Sequence, residues 1–145
     1  MTTPITSTPP TSSMMRPALG LLAGLGITAL IVGPGIIIAT LAMLRGVDPR
    51  TFSPSTANLV VYLAITAVGA FAGGFTTARV TLGRSFYTVF LLALILFMSA
   101  MVPVLRGADP TAPQRPRWFL VAQAVVVLAA VLLGGWLERR RQARR

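Results

Sequence analysis

The chain of 145 residues contains no cysteine and no histidine, and only three of its residues are Asp or Glu. Without cysteine it forms no disulfide, thiolate nucleophile or iron–sulfur ligation. Without histidine it lacks the usual general base near neutral pH and a common ligand of zinc and haem. We therefore predict no enzyme activity, no catalytic residue, no metal site and no cofactor.

Charged residues are scarce, at 11% of the chain against about 25% in a soluble domain. All thirteen basic residues are arginine, and the formal net charge is +10. The arginines lie between long apolar runs and at the C-terminus, with no basic face or aromatic platform among them. This pattern predicts a role in membrane topology and no binding of nucleic acid.

Four long runs contain no Asp, Glu, Lys or Arg. Crossing the hydrocarbon core takes about 20 helical residues, and a charged side chain at mid-helix costs about 2.5–3.5 kcal/mol. The runs therefore predict an all-α fold, a four-transmembrane-helix bundle whose membrane domain covers residues 16–137 and whose partner is the lipid bilayer. The predicted spans are residues 19–44, 57–78, 86–105 and 118–137.

The two ends of the chain have a different composition. Residues 1–15 are rich in Thr, Ser and Pro and predict a disordered tail; the alternative is an organellar targeting peptide. Residues 138–145 predict a basic C-terminal tail. Four spans place both termini on one side together with eight of the thirteen arginines, so the positive-inside rule predicts that both termini are cytoplasmic.

A short sequence is repeated after the first and third spans. Arg45-Gly46-Val47-Asp48-Pro49 and Arg106-Gly107-Ala108-Asp109-Pro110 lie 61 residues apart, and the same offset aligns Gly73-Gly74 with Gly134-Gly135. We interpret the chain as two tandem parallel helical hairpins produced by an internal duplication. The repeated turn has a structural explanation, because Arg complements a helix C-terminus, Gly ends the helix and Pro stops its continuation. The alternative is a pair of external sites for a partner or a lipid headgroup.

Small residues recur at four-residue spacing within the spans. This spacing lets helix backbones approach closely in a membrane, where no hydrophobic force drives helices together. It predicts packing within the monomer, with oligomerisation through one such face as the alternative. The candidates are Gly20, Gly24, Gly69, Gly73, Gly74, Ala130, Gly134 and Gly135.

The first span is interrupted by Gly33-Pro34-Gly35. Proline removes a backbone donor and clashes with the preceding turn, so this segment predicts a packing kink. The alternative is a functional hinge of a transporter, but the corresponding segment of the third span has no such break.

Gln123 is the most polar side chain well inside a span, and its counterpart in the repeat is Tyr62. An interhelical hydrogen bond at such a position fixes helix rotation, which is our first interpretation. The alternative is that they line a small pore or a ligand groove.

The last arginines of the chain follow the fourth span directly. They predict an anchor for topology, and the alternative is association with anionic lipid headgroups. These residues are Arg139, Arg140, Arg141, Arg144 and Arg145.

Two segments carry a resemblance to a known group of proteins. They are the span exit Gly69-Ala70-Phe71-Ala72-Gly73-Gly74-Phe75-Thr76-Thr77-Ala78-Arg79 and the closing span from Trp118 to Leu137, which ends Gly134-Gly135-Trp136-Leu137-Glu138-Arg139. The chain resembles small, uncharacterised bacterial four-helix inner-membrane proteins, in which a Gly-Gly pair precedes a short Ala-Arg exit. The resemblance implies a bacterial inner-membrane protein and no particular activity.

Taken together, these patterns predict a non-enzymatic accessory or structural subunit, or a homo-oligomer, that acts by helix packing against itself or another membrane protein. The alternative is a small transporter or channel with a kinked first span.

Overall fold

Four helices make up nearly all of the residues that the computed structural model describes, which are 12–44, 54–81, 86–106 and 116–144. No strand occurs among these residues. Each helix is long and apolar enough to cross a membrane, so the predicted all-α, four-helix fold is confirmed. The helices are α1 Ser12–Met43, α2 Thr56–Val80, α3 Phe86–Arg106 and α4 Arg117–Ala143.

Helices α1 and α4 run more than five residues beyond the predicted spans, whereas α2 and α3 differ from theirs by no more than two residues at either end. Helix α1 begins at Ser12, inside the segment predicted as a tail, and α4 continues to Ala143 through the predicted basic tail. The arginines favour this continuation, because cations near a helix C-terminus complement the helix dipole. Within the last turns, Gln142 Nε2 also donates a hydrogen bond to Glu138 Oε1 at 3.2 Å, an i, i+4 pair of the kind that stabilises helices.

Several predictions fall outside the described residues. They concern residues 1–11 of the predicted tail, Arg145, and the two repeated turn sequences from Arg45 and from Gly107 onward.

Local sequence sets the start of two helices. Ser55 precedes α2 in an extended conformation, and its side-chain oxygen accepts a hydrogen bond from the backbone N–H of Asn58 at 3.4 Å. Pro116 precedes α4, and its carbonyl accepts from the backbone N–H of Phe119 at 2.9 Å. These contacts satisfy donors that the first turn of a helix leaves unpaired.

Helices α2 and α4 form the centre of the bundle. Helix α2 packs mainly on α1 and α4, helix α4 packs mainly on α2 and α3, and among the described residues no Cα atom of α1 lies within 8 Å of a Cα atom of α4. The starts of α1 and α3 and the ends of α2 and α4 lie at one end of the bundle, which we call the arginine end.

The buried apolar residues form two clusters. The larger one lies toward the arginine end and joins α2, α3 and α4, while the smaller one lies toward the opposite end and joins α2 and α4, with residues of α1 packed against it. The larger cluster contains Ala70, Ala78, Val89, Leu92, Ala93, Val127, Ala130 and Val131. The smaller cluster contains Leu59, Tyr62 and Phe119.

Candidate functional site

A seam of glycines joins the antiparallel helices α1 and α2. At each level a glycine of one helix faces a larger side chain of the other, and each step of four residues along α1 is matched by four residues back along α2. The facing pairs are Gly20 with Thr81, Gly24 with Thr77, Thr28 with Gly73, and Val32 with Gly69.

The two backbones come close enough along this seam to exclude a side chain. A Cβ atom on Gly73 would lie 2.8 Å from the carbonyl oxygen of Gly24, and one on Gly24 would lie 2.9 Å from that of Gly73. Real Cβ atoms are almost never this near another backbone atom, so glycine is required at both positions. The seam therefore depends on close backbone approach, which is the main source of helix–helix attraction in lipid.

Threonine hydroxyls on the seam are satisfied within their own helices. Thr28 Oγ1 donates to the carbonyl of Gly24 at 2.8 Å, and Thr77 Oγ1 donates to that of Gly73 at 2.9 Å. Each threonine therefore packs against the opposite glycine with its hydroxyl hydrogen already bonded to its own helix. An unpaired hydroxyl hydrogen would be costly in a membrane. The sequence signal for this arrangement is the Gly-x-x-x-Thr spacing on both helices, which the spacing of small residues alone does not reveal.

A second close approach joins the parallel helices α2 and α4. A Cβ atom on Gly74 would collide with the backbone carbonyl of Val131, and one on Gly134 would collide with that of Phe71. Ala130 lies buried beside this crossing. The contact is reciprocal, since each helix supplies one glycine and one backbone surface.

Adjacent glycines on one helix serve different neighbours. Successive residues point about 100° apart around a helix, so Gly73 faces α1 while Gly74 faces α4. In the same way Gly134 faces α2, and Gly135 packs against the side chain of Val89 on α3. Each Gly-Gly pair therefore lets one central helix approach two neighbours at once.

The reciprocal crossing bears on the predicted duplication. Gly74 with Val131 and Gly134 with Phe71 are related by a shift of sixty residues, whereas the repeated turns are 61 residues apart. The register thus differs by one residue, and the tandem-hairpin duplication stays a prediction.

The predicted break in α1 lies on its outer surface. The helix continues without interruption from Ser12 to Met43, through Gly33 and Pro34. Both residues are exposed, and a Cβ atom on Gly33 would have no other atom within 4 Å. Gly35 is nearer to the bundle, where its Cβ would lie 2.6 Å from Ile65 Cγ2.

The two intramembrane polar candidates lie in different surroundings. The hydroxyl of Tyr62, a buried residue of α2, shares a hydrogen bond of 2.9 Å with Thr40 Oγ1 on α1. Thr40 Oγ1 also donates to the carbonyl of Ile36 at 2.7 Å. Gln123 is half-buried on α4. The Tyr62–Thr40 pair supplies a directional link between α1 and α2 toward the end of the seam that faces away from the arginine end.

The arginine end carries three guanidinium groups placed against aromatic rings. The Arg140 Cζ lies 4.0 Å from the ring centroid of Trp136, one turn earlier on α4. The Arg139 Cζ lies 5.9 Å from the ring centroid of Phe86 on α3, and the Arg141 Cζ lies 5.7 Å from that of Phe75 on α2. These distances lie within the range of cation–π attraction.

The other charged residues of this end differ in exposure. Glu138 is 8% exposed and is hydrogen-bonded to Gln142, whereas Arg144 is exposed at the end of α4. Across the described part of the chain, no three His, Cys, Asp or Glu side chains come together as a metal site would require.

No family model, curated protein or solved structure matches this chain. Its assignment therefore rests on the helices themselves. Their length and apolar composition make the chain a multi-pass integral membrane protein.

Proposed function

We propose that this membrane protein has no enzymatic activity and acts by packing its helices against a second copy of itself or against another membrane protein. Support comes from the way in which its small and polar residues are used. The glycines of α2 and α4 let neighbouring helices approach, and the threonine hydroxyls of the α1–α2 seam bond to their own helix backbones. Both features are typical of membrane helices that pack closely against other helices.

The observation that carries the proposal is the outer face of α1. In an apolar stretch of 18 residues of α1, only 11% of the stretch is buried inside the bundle, whereas 39% of the corresponding stretch of α2 is buried. Gly26 and Gly33 lie on this face, and a Cβ atom on either would have no other atom within 4 Å. Seven residues make about two helical turns, so the two glycines share one side of α1 and leave room there for another helix.

A cysteine crosslinking experiment tests self-association through this face. The chain has no cysteine, so the variant Gly26→Cys carries a single thiol. The matched control is Val125→Cys, because Val125 is exposed on α4, away from the proposed face. We expect membranes treated with a mild oxidant to contain a disulfide-linked dimer of Gly26→Cys and little dimer of Val125→Cys.

Native mass spectrometry in mild detergent separates the two forms of the proposal. A homo-oligomer supports self-association, and a defined co-purifying membrane protein supports the accessory role. A strictly monomeric protein without a partner, together with equal crosslinking of the two cysteine variants, contradicts both forms.

The transporter or channel alternative has less support. It depends on the break at Gly33-Pro34-Gly35, but α1 is helical across these residues and Gly33 faces away from the other helices. An outward glycine suits contact with another helix better than it suits the lining of a passage inside the bundle.

We also propose that the arginine end faces the cytoplasm and that the membrane is the bacterial inner membrane. Arg16 and Arg79 lie at this end with the arginines of the last turns of α4. Positively charged residues next to spans favour the cytoplasmic side.

A further inference from the structure

The last turns of α4 point four successive side chains to four sides of the helix. Successive residues are about 100° apart. Glu138 points inward and is buried, Arg139 points to Phe86 of α3, and Arg141 points to Phe75 of α2. The remaining side of the helix is taken by Arg140, which lies on Trp136.

This arrangement separates the acidic group from the basic ones. The carboxylate of Glu138 is turned into the bundle, where it accepts a hydrogen bond from Gln142. The three arginines are exposed, and the contacts of their guanidinium groups within the described residues are with aromatic rings. Their positive charge therefore faces outward around the helix.

Contact with an aromatic ring leaves N–H donors of a guanidinium available, most clearly at Arg140, whose Cζ lies 4.0 Å from the ring centroid of Trp136. An aromatic ring covers one face of the planar group, while its N–H donors point outward in the plane. The donors form a fork that fits a phosphate group with two parallel hydrogen bonds. The ring also restricts the arginine side chain beforehand, so less freedom is lost when an anion binds.

We propose that Arg139, Arg140 and Arg141 form a binding surface for the phosphate groups of anionic phospholipids, with Phe86, Trp136 and Phe75 holding the three guanidinium groups in place. The surface lies where a membrane span ends beside a tryptophan, which is the usual depth of the headgroups. Lipid phosphate is thus the anion at highest local concentration. This proposal does not depend on self-association through α1.

The two tryptophans of the chain allow the lipid composition next to each end of α4 to be measured separately. Trp136 belongs to the proposed surface, and Trp118 lies at the start of α4, at the opposite end. In the full-length protein, Trp118→Phe leaves Trp136 as the reporter, and Trp136→Phe leaves Trp118. Each is reconstituted in vesicles containing phosphatidylcholine and phosphatidylglycerol, with one of the two lipids brominated so that it quenches nearby tryptophan. Because both leaflets have the same composition, the orientation of the protein does not affect the result.

We expect Trp136 to prefer phosphatidylglycerol over phosphatidylcholine by about fivefold or more, since one basic residue near an anionic surface changes binding about fivefold. The triple variant Arg139→Gln/Arg140→Gln/Arg141→Gln should reduce this preference to near onefold and leave the value at Trp118 unchanged. An unchanged preference at Trp136, or an equal fall at both tryptophans, would overturn the proposal.

Three further arms separate geometry from charge and lipid from free anion. Replacing the three arginines by lysine keeps the charge but removes the planar fork, so we expect a lower preference than in the parent protein. Phe75→Leu/Phe86→Leu keeps all the arginines and should also lower it. Inorganic phosphate at the phosphorus concentration of the lipid should not displace phosphatidylglycerol. Parity of the lysine variant with the parent, no effect of the leucine variant, or displacement by phosphate would each overturn the proposal.

Discussion

Gly74 is the position at which the close approach of α2 and α4 is most directly tested. In the variant Gly74→Ala, the new methyl carbon would lie 2.9 Å from both the Cα and the carbonyl carbon of Val131. Carbon atoms in favourable contact are about 3.5–4.0 Å apart. The obstacle is backbone, which has no alternative rotamer, so the two helices must separate by roughly half an ångström or more.

The size of the effect follows from two opposing terms. Overpacking of a well-packed interior typically costs about 1–3 kcal/mol, and we expect the upper end because the neighbour is backbone. Alanine is favoured over glycine inside a helix by about 1 kcal/mol. The free energy of unfolding should therefore fall by about 2 kcal/mol, which corresponds to roughly a 30-fold change in the equilibrium constant.

Gly26→Ala is the matched control, because a Cβ atom on Gly26 would have no other atom within 4 Å. It makes the same chemical change in a helix without the collision, so its stability should be unchanged or higher by up to about 1 kcal/mol. Equilibrium unfolding in mixed micelles with increasing dodecyl sulfate, followed by tryptophan fluorescence, measures both variants at a detergent excess that keeps the protein monomeric, so that the proposed contact of α1 with a second copy does not contribute. Equal stability of Gly74→Ala and Gly26→Ala would refute the close approach.

A double-mutant cycle sharpens the test. A Cβ atom on Gly134 would collide with the backbone of Phe71 at the same crossing, so a separation of the helices that accommodates one methyl group also helps to accommodate the other. The double variant Gly74→Ala/Gly134→Ala should therefore lose less stability than the sum of the two single variants, with a coupling energy of about 1 kcal/mol. Strict additivity would show that the two glycines do not share one crossing.

Two further predictions concern the polar link and the topology. Tyr62→Phe removes the hydroxyl bonded to Thr40 and should lower the free energy of unfolding by about 0.6–1.7 kcal/mol. The control is Tyr87→Phe, at an exposed tyrosine, which should have no effect. Equal stability of the two variants would contradict the hydrogen bond between Tyr62 and Thr40. In intact cells, an impermeant maleimide should label Thr56→Cys and not Ala143→Cys, because the arginine end is expected in the cytoplasm. The reverse labelling pattern would show the opposite orientation.

Sequence patterns locate the helices well but locate their neighbours poorly. The apolar runs predict four spans, and all four are present, with α1 beginning seven residues earlier and α4 ending six residues later than predicted. The four-residue glycine spacing indicates faces with small side chains, but it cannot indicate that Gly73 faces α1 while Gly74 faces α4. A spacing along one chain reports which residues share a face, and says nothing of which helix covers that face.

The threonines and arginines also have neighbours that the sequence alone does not indicate. Thr28 and Thr77 are recognisable in the sequence as polar residues within spans, but their places opposite glycines depend on the antiparallel register of α1 and α2. The composition of the C-terminal end predicts a basic tail, whereas α4 continues through it to Ala143 and brings Arg139 and Arg141 to rings on two other helices.

The amino-acid sequence alone determined that the chain crosses a membrane four times, because the length and apolarity needed to span hydrocarbon are properties of each segment by itself. It also determined the shortage of ionisable groups within the spans. Only the tertiary structure decided that α2 and α4 are central, that α1 keeps an open outer face and that three arginines lie on three rings. Those features depend on how shapes fit between segments far apart in the chain, since lipid offers apolar helices no solvent force that selects one partner over another.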